Sequence, residues 1–281
     1  MRNRFVVPLL ILVGLLASRP ATAADYVWLV AGSGGEARYT EEFNGALETI
    51  YASLVERHHY KVEEVRLFGE SIAESGTIAE EVTLDGLKTQ WAKFVETVEP
   101  SDTFLLVLMG HGQSDYVEPK FNLKGPDLGG KTLAAMVEAL PCEEKRVILS
   151  FPCSGHFSEF LAPIDGVSVI ASTDGPRQIY HSVMHAFLVQ AFQDEWSDQD
   201  GDGNLTFYEL FQFLSDEVDD YYDAHDFVQI SNVSLEDDGD GRVTTFAEGM
   251  DAGDGERARA RRVCPAPGYV EELDEPEDVE S

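Results

Sequence analysis

Two short apolar runs of this chain end on residues able to do nucleophilic chemistry. Phe104 to Met109 leads into Gly110-His111-Gly112, and Val147 to Phe151 leads into Pro152-Cys153-Ser154-Gly155. A cysteine attacks as its thiolate, and a neighbouring histidine takes up its proton and later protonates a leaving amine. The backbone N–H groups of Gly112 and Cys153 are candidate donors to the oxygen of a tetrahedral intermediate. His156, on the same turn as Cys153, is the competing base; His111 is preferred because it leaves a strand end of its own.

That chemistry needs both residues at one rim. Runs this apolar, closed by Gly or Pro, read as strands buried on both faces of a parallel sheet. If the two are neighbours, their carboxyl ends lie about 5 Å apart, on the edge where open α/β sheets bind ligands. The rest of the chain fits. Strands are expected at 26–30, 62–67 and 167–171, with helices at 41–57, 84–98, 130–140, 182–196 and 207–224. Such alternation predicts a three-layer α/β domain with a mainly parallel sheet and right-handed crossovers. The end of the 167–171 strand supplies Ser172 and Thr173, with Asp174, to the substrate pocket. The loop 35–40 adds Glu36 and Arg38, which favours a polar or charged P1 side chain.

A second pattern concerns cations. From Asp198 to Glu209, oxygen-bearing side chains recur at loop positions one, three, five, seven, nine and twelve: Asp198, Asp200, Asp202, Asn204, Thr206 and Glu209. Gly203 stands at the sharp turn and apolar Leu205 at position eight, which matches an EF-hand calcium loop. Glu236-Asp237-Asp238-Gly239-Asp240-Gly241 begins like a second loop, making Asp238 and Asp240 candidate ligands, but position twelve is Ala247 and Glu248 comes one residue late. The sequons at Asn204 and Asn232 are read as chance matches.

The Val30-Ala31-Gly32-Ser33-Gly34-Gly35 start, the Met109-Gly110-His111-Gly112 strand end and the Cys153-Ser154-Gly155 turn resemble legumain-type cysteine peptidases of the caspase-like superfamily. Lys120-Phe121-Asn122-Leu123 and Gly125-Pro126-Asp127-Leu128 are similar to bacterial exported members. The resemblance spans roughly residues 26–224. It implies a caspase-like sandwich and cleavage of peptide or protein substrates through a thioester, with His111 as base and Cys153 as nucleophile. The Cys-x-Gly spacing of caspases fits Cys153 to Gly155. An ungapped alignment on the legumain Ser-Gly puts Pro152 at the nucleophile position instead. A catalytically degenerate binding or scaffold member, and a transamidase, are the alternatives.

Compartment and boundaries follow from composition. Arg2 and Arg4, the apolar stretch 5–16 and Ala21-Thr22-Ala23 make residues 1–23 a secretory signal peptide, so an exported chain, periplasmic or secreted, is expected. No later run is long enough to span a bilayer. The formal charge is -32, and a surface this acidic repels phosphate backbones, which argues against nucleic acid as a partner. The peptidase domain is expected over 24–250, and 251–281, with Arg257, Arg259, Arg261 and Arg262 before an acidic end, reads as a disordered tail. Of three cysteines, export favours pairing Cys142 with Cys264 and leaving Cys153 free, or else three free thiols.

Overall fold

A computed structural model describes residues 23–70, 80–245 and 253–265; the proposed signal peptide, apart from Ala23, lies outside them, as do Ala247 and Glu248. The strands that carry His111 and Cys153 are β4 (Thr103–Met109) and β8 (Glu144–Ser150), each almost wholly buried. They pair in parallel, Met109 opposite Ser150. On one side β4 also pairs with β1 (Asp25–Ala31), which pairs with β2 (Val65–Gly69), and β2 in turn pairs with β3 (Glu80–Glu81). On the other side β8 pairs with β9 (Val167–Ala171). Two antiparallel strands, β11 (Ser234–Glu236) and β12 (Thr244–Thr245), complete an eight-stranded, mainly parallel sheet.

Successive residues of a strand point to opposite faces, and here the alternation builds two cores. Val27, Leu29, Leu105, Val107 and Ile148 face α1 (Ala37–Glu56), α5 (Met184–Ala191) and α6 (Phe207–Ala224). Trp28, Val30, Leu106, Leu108 and Val147 face α2 (Leu84–Val95) and α3 (Gly130–Glu138). Trp28 anchors the second core, its ring centroid within 5.0 Å of those of Phe68, Trp91 and Phe94. The layers are those the alternation predicts: helices on both faces of a mainly parallel sheet.

Three expectations need correction. After His111 the chain does not run straight to α3 but folds into a three-stranded sheet of β5 (Gly112–Ser114), β6 (Pro119–Phe121) and β7 (Leu128–Gly129). The helix expected over 182–196 is only α5; it ends at Ala191, and a short 3₁₀ helix, Glu195–Ser197, leads into the acidic loop. The loop is therefore flanked by a regular helix on its exit side alone. The segment 253–265 is folded rather than a tail: α7 (Glu256–Arg259) is followed by β13 (Arg262–Pro265), which pairs antiparallel with β10 (Asn204–Thr206).

Of the two expectations for the cysteines, three free thiols is the one that holds, and the Cys142–Cys264 pairing does not. All three are free and buried. Cys264 packs in the α1/α6 core and Cys142 in the α2/α3 core, so the sheet stands between them.

Candidate active site and cation loops

His111 and Cys153 leave adjacent parallel strands at the same end of the sheet, as expected. Cys153 is reached by a sharp turn: its backbone takes the left-handed conformation (φ 61°, ψ 14°), and the short 3₁₀ helix Ser154–Phe157 and α4 (Ser158–Leu161) follow at once. For a residue with a Cβ that conformation costs about 1–2 kcal/mol, and it persists only where surrounding contacts fix it. Those contacts come from the two residues that follow β9. Ser172 Oγ donates to the Phe151 carbonyl (2.9 Å), the Ser172 N–H donates to Ser154 Oγ (3.1 Å) and the Gly155 N–H donates to Thr173 Oγ1 (2.9 Å). A Cβ on Gly155 would lie 2.2 Å from the Thr173 carbonyl oxygen, so only glycine allows this approach. Ser172 and Thr173 are each 0% exposed. They position the turn and do not line a pocket, which corrects their expected role in substrate binding.

The Cys153 side chain is covered. Its thiol donates to the Pro176 carbonyl at 3.5 Å, and its backbone N–H donates to the Gln178 carbonyl at 2.9 Å. The oxyanion donor expected from Cys153 is thus occupied by the loop 174–178. Burial pushes the thiol above its ordinary pKa, partly offset by the Ser114 backbone. Gly112, the other expected donor, packs so tightly that a Cβ would sit 2.7 Å from the Pro152 carbonyl oxygen.

His111 is half-buried among rings. Its centroid lies 4.8 Å from that of Tyr39, 5.2 Å from Phe43 and 6.0 Å from His181. Burial, then the neighbouring His181, lowers its pKa below 6.5, while a bond to the Gly34 backbone opposes the shift. The shift favours the neutral imidazole over the imidazolium. Among the described residues no hydrogen bond joins it to Cys153. His156 is engaged elsewhere, with Nδ1 2.8 Å from Ser114 Oγ. Arg38 is exposed in the first turn of α1, its guanidinium 4.4 Å from the Tyr39 ring centroid and paired with Glu36 at 3.1 Å. That places it beside a ring that touches His111.

Several residues of this rim were not singled out in the sequence. Glu42 bridges His185 (2.6 Å) and His181 (3.4 Å), and the spacing of four between the two histidines was a visible signal. Glu70 staples the glycine-rich loop after β1, accepting from Ser33 Oγ, the Gly34 N–H and Thr40 Oγ1. Gln178 Oε1 accepts from the N–H groups of Asp174 (3.0 Å) and Asn232 (3.1 Å).

In the first acidic loop, carboxyl oxygens of Asp198, Asp200 and Glu209 lie within 4.8 Å of one another. Asp198 accepts from the N–H groups of Gly201 and Gly203, and Glu209 accepts from those of Gln199 and Thr206. Asp202 Oδ1 is turned to the Asn204 backbone, and Thr206 caps α6 with Glu209 as its reciprocal partner. Of the six expected ligands, three side chains converge. In the second loop Asp238 joins Glu236 and Asp254 in a like group, whereas Asp240 Oδ1 accepts from the Arg242 N–H and stands outside it. Burial raises the Glu236 pKa to about 7 and that of Asp254 above its ordinary value.

No protein-family model and no curated protein sequence matches the chain. Among solved structures, a structural-genomics target from Geobacter sulfurreducens is similar at 9% identity and a TM-score of 0.48, over 76% of this chain and 92% of that one. Caspase-1 from Spodoptera frugiperda is similar at 11% identity and a TM-score of 0.46, over 70% of this chain and 76% of that one. Both likenesses are of backbone course only. Among the described residues no helix is long and apolar enough to cross a membrane.

Proposed function

We propose that this chain is an exported, legumain-type cysteine endopeptidase, with Cys153 as nucleophile, His111 as base and calcium held in the loop 198–209. The observation that carries the reading is the left-handed Cys153 at the end of a buried parallel strand, next to the strand that delivers His111. A sharp turn of this kind lifts a nucleophile clear of the sheet, and strain tends to gather at catalytic positions.

In the reaction, the Cys153 sulfur attacks the peptide carbonyl carbon as its proton passes to the neutral imidazole of His111. The tetrahedral oxyanion collapses, the amine leaves with that proton, and water hydrolyses the thioester. In the closed form the loop 174–178 holds both the thiol and the Cys153 N–H. Withdrawing that loop frees nucleophile and oxyanion donor together. Arg38 and Asp174, both exposed at the rim, favour a polar or charged P1 residue. A peptide library profiled with the mature chain and with Cys153→Ala tests the proposal; turnover that survives the substitution contradicts it.

A second reading is a non-catalytic binding member of the same architecture. The covered thiol, which burial pushes above its ordinary pKa and which among the described residues has no bond to His111, favours it. The two readings separate by chemistry, since a peptidase thiol captures an acyl-mimicking electrophile and a merely buried one does not.

A further inference from the structure

Glu236 ends β11 with its side chain fully buried, and among the described residues one of its two carboxyl oxygens is satisfied. Oε1 accepts from the N–H groups of Gly239 (2.8 Å) and Gly241 (3.3 Å), whereas among the described residues Oε2 has no hydrogen-bond partner. A buried carboxylate oxygen without a donor is expensive and calls for a physical reason. What converges on it is further negative charge, for carboxyl oxygens of Asp238 and Asp254 lie within 4.8 Å.

The backbone around these groups repeats that of the first loop. Glu236 accepts from Gly239 and Gly241 as Asp198 does from Gly201 and Gly203. The Asp240 N–H donates to Asp238 Oδ1 as that of Asp202 does to Asp200. The Arg242 N–H donates to Asp240 Oδ1 as that of Asn204 does to Asp202. The closing carboxylate differs. In the first loop it is Glu209, on the first turn of α6. Here Asp254 arrives from outside the loop, fixed by the Asp237 N–H (2.9 Å) and Thr244 Oγ1 (2.6 Å). Gly253 makes that approach feasible, because a Cβ there would lie 2.1 Å from Asp238 Oδ2.

We propose that Glu236, Asp238 and Asp254 form a second divalent-cation site, of calcium type, in which Asp254 replaces the missing twelfth-position ligand. The donors are all hard oxygens on an irregular loop, which suits calcium better than a nitrogen- or sulfur-seeking metal. The site is separate from the first loop and owes nothing to the peptidase reading. A cation there ties the end of β11 to the segment that carries α7.

Glu236→Gln puts an amide in a fully buried position, so the decisive variants are Asp254→Asn and Asp238→Asn, at half-buried and exposed positions. Calorimetric titration of the chelator-treated mature chain with calcium chloride reads the number of sites. The Glu209→Gln chain is expected to retain one equivalent. Adding Asp254→Asn or Asp238→Asn to it should abolish that binding or weaken it at least tenfold. If wild type and Glu209→Gln bind the same single equivalent and Asp254→Asn removes it, the second site stands and the first loop does not bind. No binding by the Glu209→Gln chain, or binding that Asp254→Asn leaves unchanged, overturns the proposal.

Discussion

Gln178→Ala should open the loop that covers Cys153. The Gln178 side chain pins this loop by accepting from the Asp174 and Asn232 N–H groups at 3.0 and 3.1 Å. Both bonds are partly solvated, so together they contribute about 1–2 kcal/mol to the closed form. Removing them raises the population of the open form roughly 5- to 30-fold, at about 1.4 kcal/mol per decade. Sulfur reactivity should rise by the same factor, because the Pro176 carbonyl no longer holds the thiol and the Gln178 carbonyl no longer holds the backbone. The assay is the rate of iodoacetamide alkylation at Cys153, followed by peptide mass mapping, with Cys142 and Cys264 replaced by serine or alanine. An alkylation rate equal to that of the parent chain would refute the reasoning that the 174–178 loop is the cover.

Three other predictions concern the Cys153 thiol, the first acidic loop and His58. Because burial raises the Cys153 pKa, the thiolate fraction grows as pH rises, so alkylation should climb steeply from about pH 7 to about pH 9; a plateau near pH 6 would reveal a thiolate–imidazolium pair instead. Calcium at 100 times its Kd for the first loop should stabilise the chain by about 2.7 kcal/mol, a rise of about 5–10 °C in melting temperature, most of it lost in Glu209→Gln; identical melting with calcium and with chelator counts against the site. His58 is 2% exposed and its two ring nitrogens face the Phe192 and Pro265 carbonyls at 2.9 and 2.6 Å, so His58→Ala should cost about 2–4 kcal/mol in urea unfolding, and an unchanged midpoint would show that residues 253–265 are not anchored there.

The sheet was legible because its strands are buried on both faces: runs such as Phe104–Met109 have little polar content to confuse with anything else, and the Gly or Pro after each run marks where it stops. Their neighbouring positions also followed, since β4 and β8 are joined by a single crossover. The cover over Cys153 was not legible, because Pro176 and Gln178 meet it through backbone carbonyls, which no side-chain pattern announces. The arginine-rich segment misled for a related reason. Composition makes 257–262 look solvated, yet Arg261 is buried, with its guanidinium donating to Ser168 Oγ at 2.8 Å. Burial lowers its pKa to about 10. Asp254 escaped notice because it closes the second loop from beyond position twelve, a choice made by tertiary packing rather than by spacing.

The central claim is that Cys153 is a nucleophile served by His111. It is tested most directly by incubating the mature chain with a peptide carrying an acyl-mimicking electrophile at its P1 carbonyl, and locating the adduct by intact and peptide mass spectrometry. The account predicts a single covalent adduct on Cys153, formed faster in Gln178→Ala, lost in Cys153→Ala and slowed at least a hundredfold in His111→Ala. An adduct that forms as fast in His111→Ala, or that falls on Cys142 or Cys264 as readily as on Cys153, would contradict it.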